Sequence, residues 1–244
     1  MAGEVIGAYG LTCHRGGRRA LAGLDLAIPA GEVFALFGGN GAGKTTTISL
    51  FLGFVRPTAG TAFVAGVDVA RRPLEARRRL AYVPESVSLY GHATPVENLR
   101  YFAALAGRRL SLPEARAALG RVGLAEEAWG RPLATLSKGM RQRCGLAIAF
   151  ARQAAALFLD EPFSGLDPVA AAGLVQAIRG LRDEGCAVLV TTHDLYHARA
   201  LADQVGIMRA GRLVRHLRRD ALTTLDFEQL YREAMGLEAA PCGG

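Results

Sequence analysis

The chain has 244 residues, half apolar and 21% charged, which allows one α/β unit with an inserted lobe, or two small domains, and excludes wholesale disorder. Its net charge of +7 sits in short arginine clusters (Arg71–Arg72, Arg77–Arg79 and within 212–219) without a basic tail, so a solvated surface is expected rather than a nucleic-acid groove. No run approaches the roughly 20 apolar residues that span a bilayer, no export signal is read in residues 1–12, and Cys13, Cys144, Cys186 and Cys242 lack paired spacing, so an internal chain with free thiols is expected.

In chain order, the first clear element is Val33–Phe37, a continuous apolar run that predicts a buried parallel strand. It leads into Gly38-Gly39-Asn40-Gly41-Ala42-Gly43-Lys44-Thr45-Thr46, which contains the full phosphate-loop pattern from Gly38 to Thr45. Ile48, Phe51, Leu52 and Val55 then fall at helical spacing, so a helix opens directly from the loop. In that context the glycines let backbone N–H groups turn around phosphate oxygens, and the helix N-terminus adds partial positive charge. Lys44 is placed to reach the β- and γ-phosphates, and the Thr45 hydroxyl to ligate Mg²⁺. Among 29 basic residues only Lys44 and Lys138 are lysines, so a compact ammonium is kept at the phosphate loop of a chain that otherwise uses arginine.

The middle of the chain changes character. Thr94-Pro95-Val96-Glu97 is a capping box that predicts a helix to about Ala106, and Ser111-Leu112-Pro113-Glu114 predicts a second to about Arg121. Residues 90–150 therefore read as a helical lobe inserted in a core formed by 1–89 and 151–219. Ala155–Asp160 reads as a strand ending in the pair Asp160-Glu161. Asp160 suits Mg²⁺, which takes few protein ligands and several waters, while Glu161 is placed to polarise an attacking water. Asp167 is the expected N-cap of a helix over Pro168–Glu184. Ala187–Thr192 reads as another strand, and Val205–Met208 with Leu213–Leu217 as a closing hairpin through Ala210-Gly211. Alternating strands and helices predict a mainly parallel sheet with ligands at the strands' carboxyl ends. In the 220–244 segment a short helix, Phe227–Met235, with a loose tail is expected.

One stretch narrows the reading. In Leu136-Ser137-Lys138-Gly139-Met140-Arg141-Gln142-Arg143, Ser137 is a good N-cap, and Cys144, Ala147, Ile148 and Ala151 line one face of the helix it begins. This stretch resembles the signature of the ABC ATPase family. Ser164-Gly165-Leu166-Asp167 is similar to the family's loop across the dimer interface, and His193, in Thr191-Thr192-His193-Asp194, to its switch histidine. The resemblance covers residues 5–217. It implies a P-loop α/β fold with antiparallel N-terminal strands, and ATP and Mg²⁺ as cofactors. It implies catalytic roles for Glu161, His193 and Lys44, with Thr45, Glu85 and Asp160 at the metal. The nucleotide would be bound by residues 38–46 and Arg15, and by Ser137, Gly139 and Asp167, the first two acting on a second subunit's nucleotide. The implied partners are that second ATPase subunit, in a homodimer, and a transmembrane permease, with no nucleic acid; the place is the cytoplasmic face of the membrane.

Three departures from the family pattern stand out. Arg15 occupies the place of an adenine-stacking aromatic residue, Gly39 replaces a common proline, and Glu85, in Tyr82-Val83-Pro84-Glu85, replaces the loop glutamine. The Pro-Glu and Ser-Lys-Gly-Met forms resemble subunits that serve ABC-2-type permeases, including those of copper-related nitrous-oxide-reductase loci. Alternative readings are an ABC ATPase acting on nucleic acid or ribosomes, and a low-turnover regulatory subunit.

Overall fold

A computed structural model describes residues 3–224 of the chain. It opens with two 12-residue strands, β1 (Glu4–Arg15) and β2 (Arg18–Pro29), paired antiparallel. In β2, Leu24, Leu26 and Ile28 are buried while Asp25 is exposed, the alternation of a strand with one covered face. Next come β3 (Val33–Phe37), α1 (Lys44–Phe51), β4 (Ala59–Val64), β5 (Val67–Asp68), α2 (Pro73–Arg79) and β6 (Leu80–Val83). Helix α1 stops four residues short of Val55, because Gly53 adopts a left-handed φ of 67° and turns the chain; the apolar spacing continues into the turn.

The helical stretch holds α3 (Pro95–Leu105), α4 (Leu112–Arg121), two short 3₁₀ turns and α5 (Lys138–Arg152). Both predicted capping boxes form: Thr94 and Ser111 each accept from the backbone N–H three residues on, and Glu97 and Glu114 reach back to the cap N–H. The chain continues through β7 (Ala156–Asp160), α6 (Pro168–Asp183), β8 (Ala187–Thr192), α7 (Leu195–Leu201), β9 (Gln204–Arg209), β10 (Arg212–Arg218) and α8 (Arg219–Thr224). The expected helix at Phe227–Met235 and Cys242 lie outside the described residues.

Two sheets result, one ordered β2-β1-β4-β5 and one ordered β10-β9-β3-β8-β7-β6. The larger is parallel from β9 through β6, with β10 antiparallel at its edge. Its central strands are continuous apolar runs because both faces are covered. Val33, Leu157, Leu159, Val188 and Val190 join α5 and α6 in one core, whereas Phe34, Leu36, Phe158 and Leu189 join α1 and the small sheet in another. Period-two alternation along each strand divides its residues between these cores.

Parallel register decides where the functional side chains arrive. Phe37 lies opposite Thr192 and Asp160 opposite Thr191, so the segments after β3, β7 and β8 leave the sheet at one edge. Cys13, Cys144 and Cys186 are buried and free, and burial pushes the Cys144 and Cys186 thiols up to about 12, away from reactive thiolate. Among the described residues no helix is long and apolar enough to cross a membrane.

Candidate functional site

The loop after β3 is anchored at its start by Gly38 N–H donating to Thr192 O at 3.3 Å. It ends at Gly43, which caps α1 with φ 112°; a Cβ there would lie 2.8 Å from Met208 Cε and 2.9 Å from Ala20 O, so only glycine fits. No side chain caps α1, which leaves its first-turn N–H groups facing the loop's concavity. Lys44 is buried against that loop, and its ammonium donates to Gly38 O at 2.5 Å and Gly39 O at 3.4 Å. The same Nζ lies 3.2 Å from Glu161 Oε1.

Strand β7 delivers the acids from the other side. Asp160 Oδ1 accepts from Thr191 Oγ1 at 2.5 Å. Burial raises the Asp160 pKa, and the neighbouring Glu161 and Glu85 charges add to this, while the Thr191 bond and Lys44 oppose it. Glu161 adopts a left-handed φ of 45°, uncommon for a non-glycine residue, and its N–H donates to Thr191 O at 3.0 Å. The turn leaves the Glu161 carboxylate held at both oxygens. Oε1 faces Lys44, and Oε2 accepts from His193 N–H at 3.1 Å with His193 Nδ1 2.8 Å away.

These groups enclose a cleft of about 260 Å³, lined by residues 39–46, Ala20, Glu85, Asp160 and Glu161. The structure thus gathers the phosphate loop, Thr45, both β7 acids and Glu85 on one cavity. His193 joins through Glu161, with its ring mostly exposed.

Other expected residues lie elsewhere. Arg15 sits exposed at the end of β1, opposite Arg18, and does not line the cleft; the hairpin residue that does is Ala20. Ser137 is exposed and caps α5, accepting from Met140 N–H at 3.2 Å, and neither it nor Gly139 lines this cleft. Asp167 caps α6, accepting from Ala170 N–H at 2.8 Å.

Three site residues escaped the sequence reading. Thr191 anchors Asp160, although its place just before Thr192-His193 marks it as the end of a strand beside the acids. The Tyr82 phenol is pushed up to about 12, by burial first and then by the charge and hydrogen bond of Asp160. Buried Gln142 donates to Pro84 O and Glu85 O, a tie that no sequence pattern announced.

Comparison with known proteins agrees with this geometry. The sequence profile described as "ABC transporter" matches residues 21–164. The chain is 40% identical over 213 residues to the daunorubicin/doxorubicin resistance ATP-binding protein DrrA of Streptomyces peucetius, covering 86% of this chain and 64% of that one. It is 36% identical over 216 residues to the probable multidrug ABC transporter ATP-binding protein YbhF of Escherichia coli, covering 86% of this chain and 36% of YbhF. The chain therefore spans less than two thirds of the length of either relative. A solved structure of an ATP-binding subunit of an ABC transporter superposes with a TM-score of 0.82 at 30% identity, covering 94% of this chain and 99% of that one.

Proposed function

Because the chain belongs to the ABC transporter family of ATP-binding proteins, we propose that it is an ATP-hydrolysing subunit that drives a separate membrane permease by closing against a second copy of itself. One observation carries this reading. The phosphate loop and both acids face one cleft, while the α5 N-terminus, with Ser137 and Gly139, lies outside it. A helix N-terminus is itself a phosphate-binding surface. In this reading Ser137 and the Gly139 N–H group complete the cleft of the partner molecule, and Asp167 lies at the shared interface.

Within one cleft, residues 38–46 bind the phosphates through backbone N–H groups, and Lys44 exchanges its Gly38 and Gly39 carbonyls for phosphate oxygens. That exchange weakens the hold of Lys44 on Glu161. Glu161, still held by His193, then polarises the attacking water. His193 supports the γ-phosphate, and positioning with charge stabilisation supplies the rate.

The residues present fit Mg²⁺. Thr45 offers a hydroxyl, and Asp160 is a carboxylate whose neighbours Glu161 and Glu85 already crowd it with negative charge, which a cation relieves. When bound, the ion supplies charge neutralisation at the phosphates.

The permease partner is proposed to seat in a second groove, about 440 Å³, between β6, α3 and α5, with Phe54, Tyr82, Val87, Phe102 and Ile148 on its walls and Arg77 at its rim. An apolar segment with an acidic residue suits that lining. We take the permease to be of the ABC-2 type, on the strength of the Pro84-Glu85 and Ser137–Met140 forms and the likeness to DrrA.

The test is size-exclusion chromatography of Glu161→Gln with and without ATP and Mg²⁺. A dimer that forms only with nucleotide is expected. A species that stays monomeric at saturating ATP would remove the shared-site reading.

A further inference from the structure

Of the residues around the cleft, Glu85 is tied directly to the helix that Ser137 begins. Lys138, Gln142 and Gly145 lie four and three residues apart, on one face of α5. That face seats on the segment 83–87. Gln142, 1% exposed, donates through Nε2 to Glu85 O at 2.9 Å and Pro84 O at 3.3 Å. Gly145 lets the backbones approach, since a Cβ there would lie 3.0 Å from Val83 Cγ1. Lys138 Nζ stands 4.0 Å from Glu85 Oε1, and that same oxygen accepts from Ser164 Oγ at 2.9 Å. Glu85 thus touches the cleft, the N-terminal turn of α5 and the loop leading to Asp167.

The Gln142 Oε1 atom is buried without a hydrogen-bond partner among the described protein groups, so the side-chain amide is held through its Nε2 donor bonds alone. What glutamine adds is a directional grip on two main-chain carbonyls.

We propose that Gln142 and Lys138 clamp Glu85 as positioning residues, Gln142 fixing its main chain and Lys138 its carboxylate where Glu85 lines the cleft. The proposal rests on the reading of the cleft as a nucleotide site.

The experiment uses the full chain and reads three quantities: kcat and KM for ATP, the Kd of a fluorescent ATP analogue, and the unfolding temperature. Gln142→Leu should lower kcat about tenfold while the analogue Kd stays within about twofold, the split expected when a transition-state interaction is lost and ground-state binding is kept. Lys138→Met should lower kcat a few-fold, as suits a partly exposed pair, and Lys138→Arg should restore it. In a Glu85→Ala background Lys138→Met should cost nothing further.

Equal cost of Lys138→Met in both backgrounds, or a Kd that rises in step with the fall in kcat, overturns the clamp. The Lys138 and Glu85 cycle uses side chains that lie outside the core and decides the matter even if Gln142→Leu fails to fold. If the unaltered chain binds and hydrolyses ATP but these variants match it, only the clamp falls. If the unaltered chain binds no analogue, the nucleotide reading fails and takes the clamp with it.

Discussion

The cleft beside Lys44 and the α5 end at Ser137 both present a helix N-terminus, yet they are built differently. At the cleft, Lys44, Asp160, Glu161, Thr191 and His193 are joined by short contacts, and Glu161 is held at both carboxylate oxygens. At α5, Ser137 is exposed and its hydroxyl accepts from its own helix. The first region carries the ammonium and the carboxylates that the proposed function assigns to triphosphate binding and water activation. The second carries hydrogen-bond donors and a helix dipole, with no acidic residue in its first turn. In the proposed reading, chemistry and completion of the site are separated within one chain, and a second copy brings them together.

The comparison breaks most decisively at Glu161. Glu161→Gln should lower ATP hydrolysis about 10³-fold, read as phosphate release, with analogue binding retained. At the other region, Gly139→Leu should lower hydrolysis by roughly 10²-fold, the order seen when a backbone donor to developing charge is displaced. A Cβ at Gly139 already lies 3.1 Å from Ala170 Cβ, so a larger side chain must displace the α6 start. If the two regions divide the work as described, this variant keeps its analogue Kd. Lys44→Ala should do the opposite, weakening the analogue by roughly 10–100-fold, as loss of a charged hydrogen bond to phosphate predicts. An unchanged Kd would place binding elsewhere.

Smaller effects test the frame around α5. Thr94→Ala removes a capping-box acceptor at α3 and should cost about 1 kcal/mol in urea unfolding without changing the analogue Kd. Hydrogen bonds from the Thr94 backbone and side chain lower the Glu97 pKa from its ordinary 4.5. Its folded value lies below its unfolded one, so the stabilisation is complete above that ordinary value and is lost as pH falls through the lowered one. Glu97→Gln should flatten that part of the dependence of unfolding temperature on pH.

Much of this was legible in the residues because it rests on local chemistry. The run Val33–Phe37, the glycines before Lys44, both capping boxes and the Asp167 cap are each specified within a few residues, and each forms with those boundaries or within one residue of them. Where local spacing misled, a competing local rule won, as when Gly53 ended α1 before Val55. The long hairpin of β1 and β2 carried no comparable signal, since its apolar alternation is broken by register shifts and glycines.

What the sequence determined by itself, then, was which groups are present and which short elements carry them: a lysine on a glycine loop, two acids ending a strand, a serine opening a helix. Only the tertiary structure decided their company. Parallel register set Thr191 beside Asp160 and His193 beside Glu161, the hairpin paired Arg15 with Arg18, and α5 packing put Gln142 on the Glu85 carbonyl. Those pairings join residues 31, 32 and 57 positions apart. They depend on how whole elements pack, and no short window of sequence contains both partners.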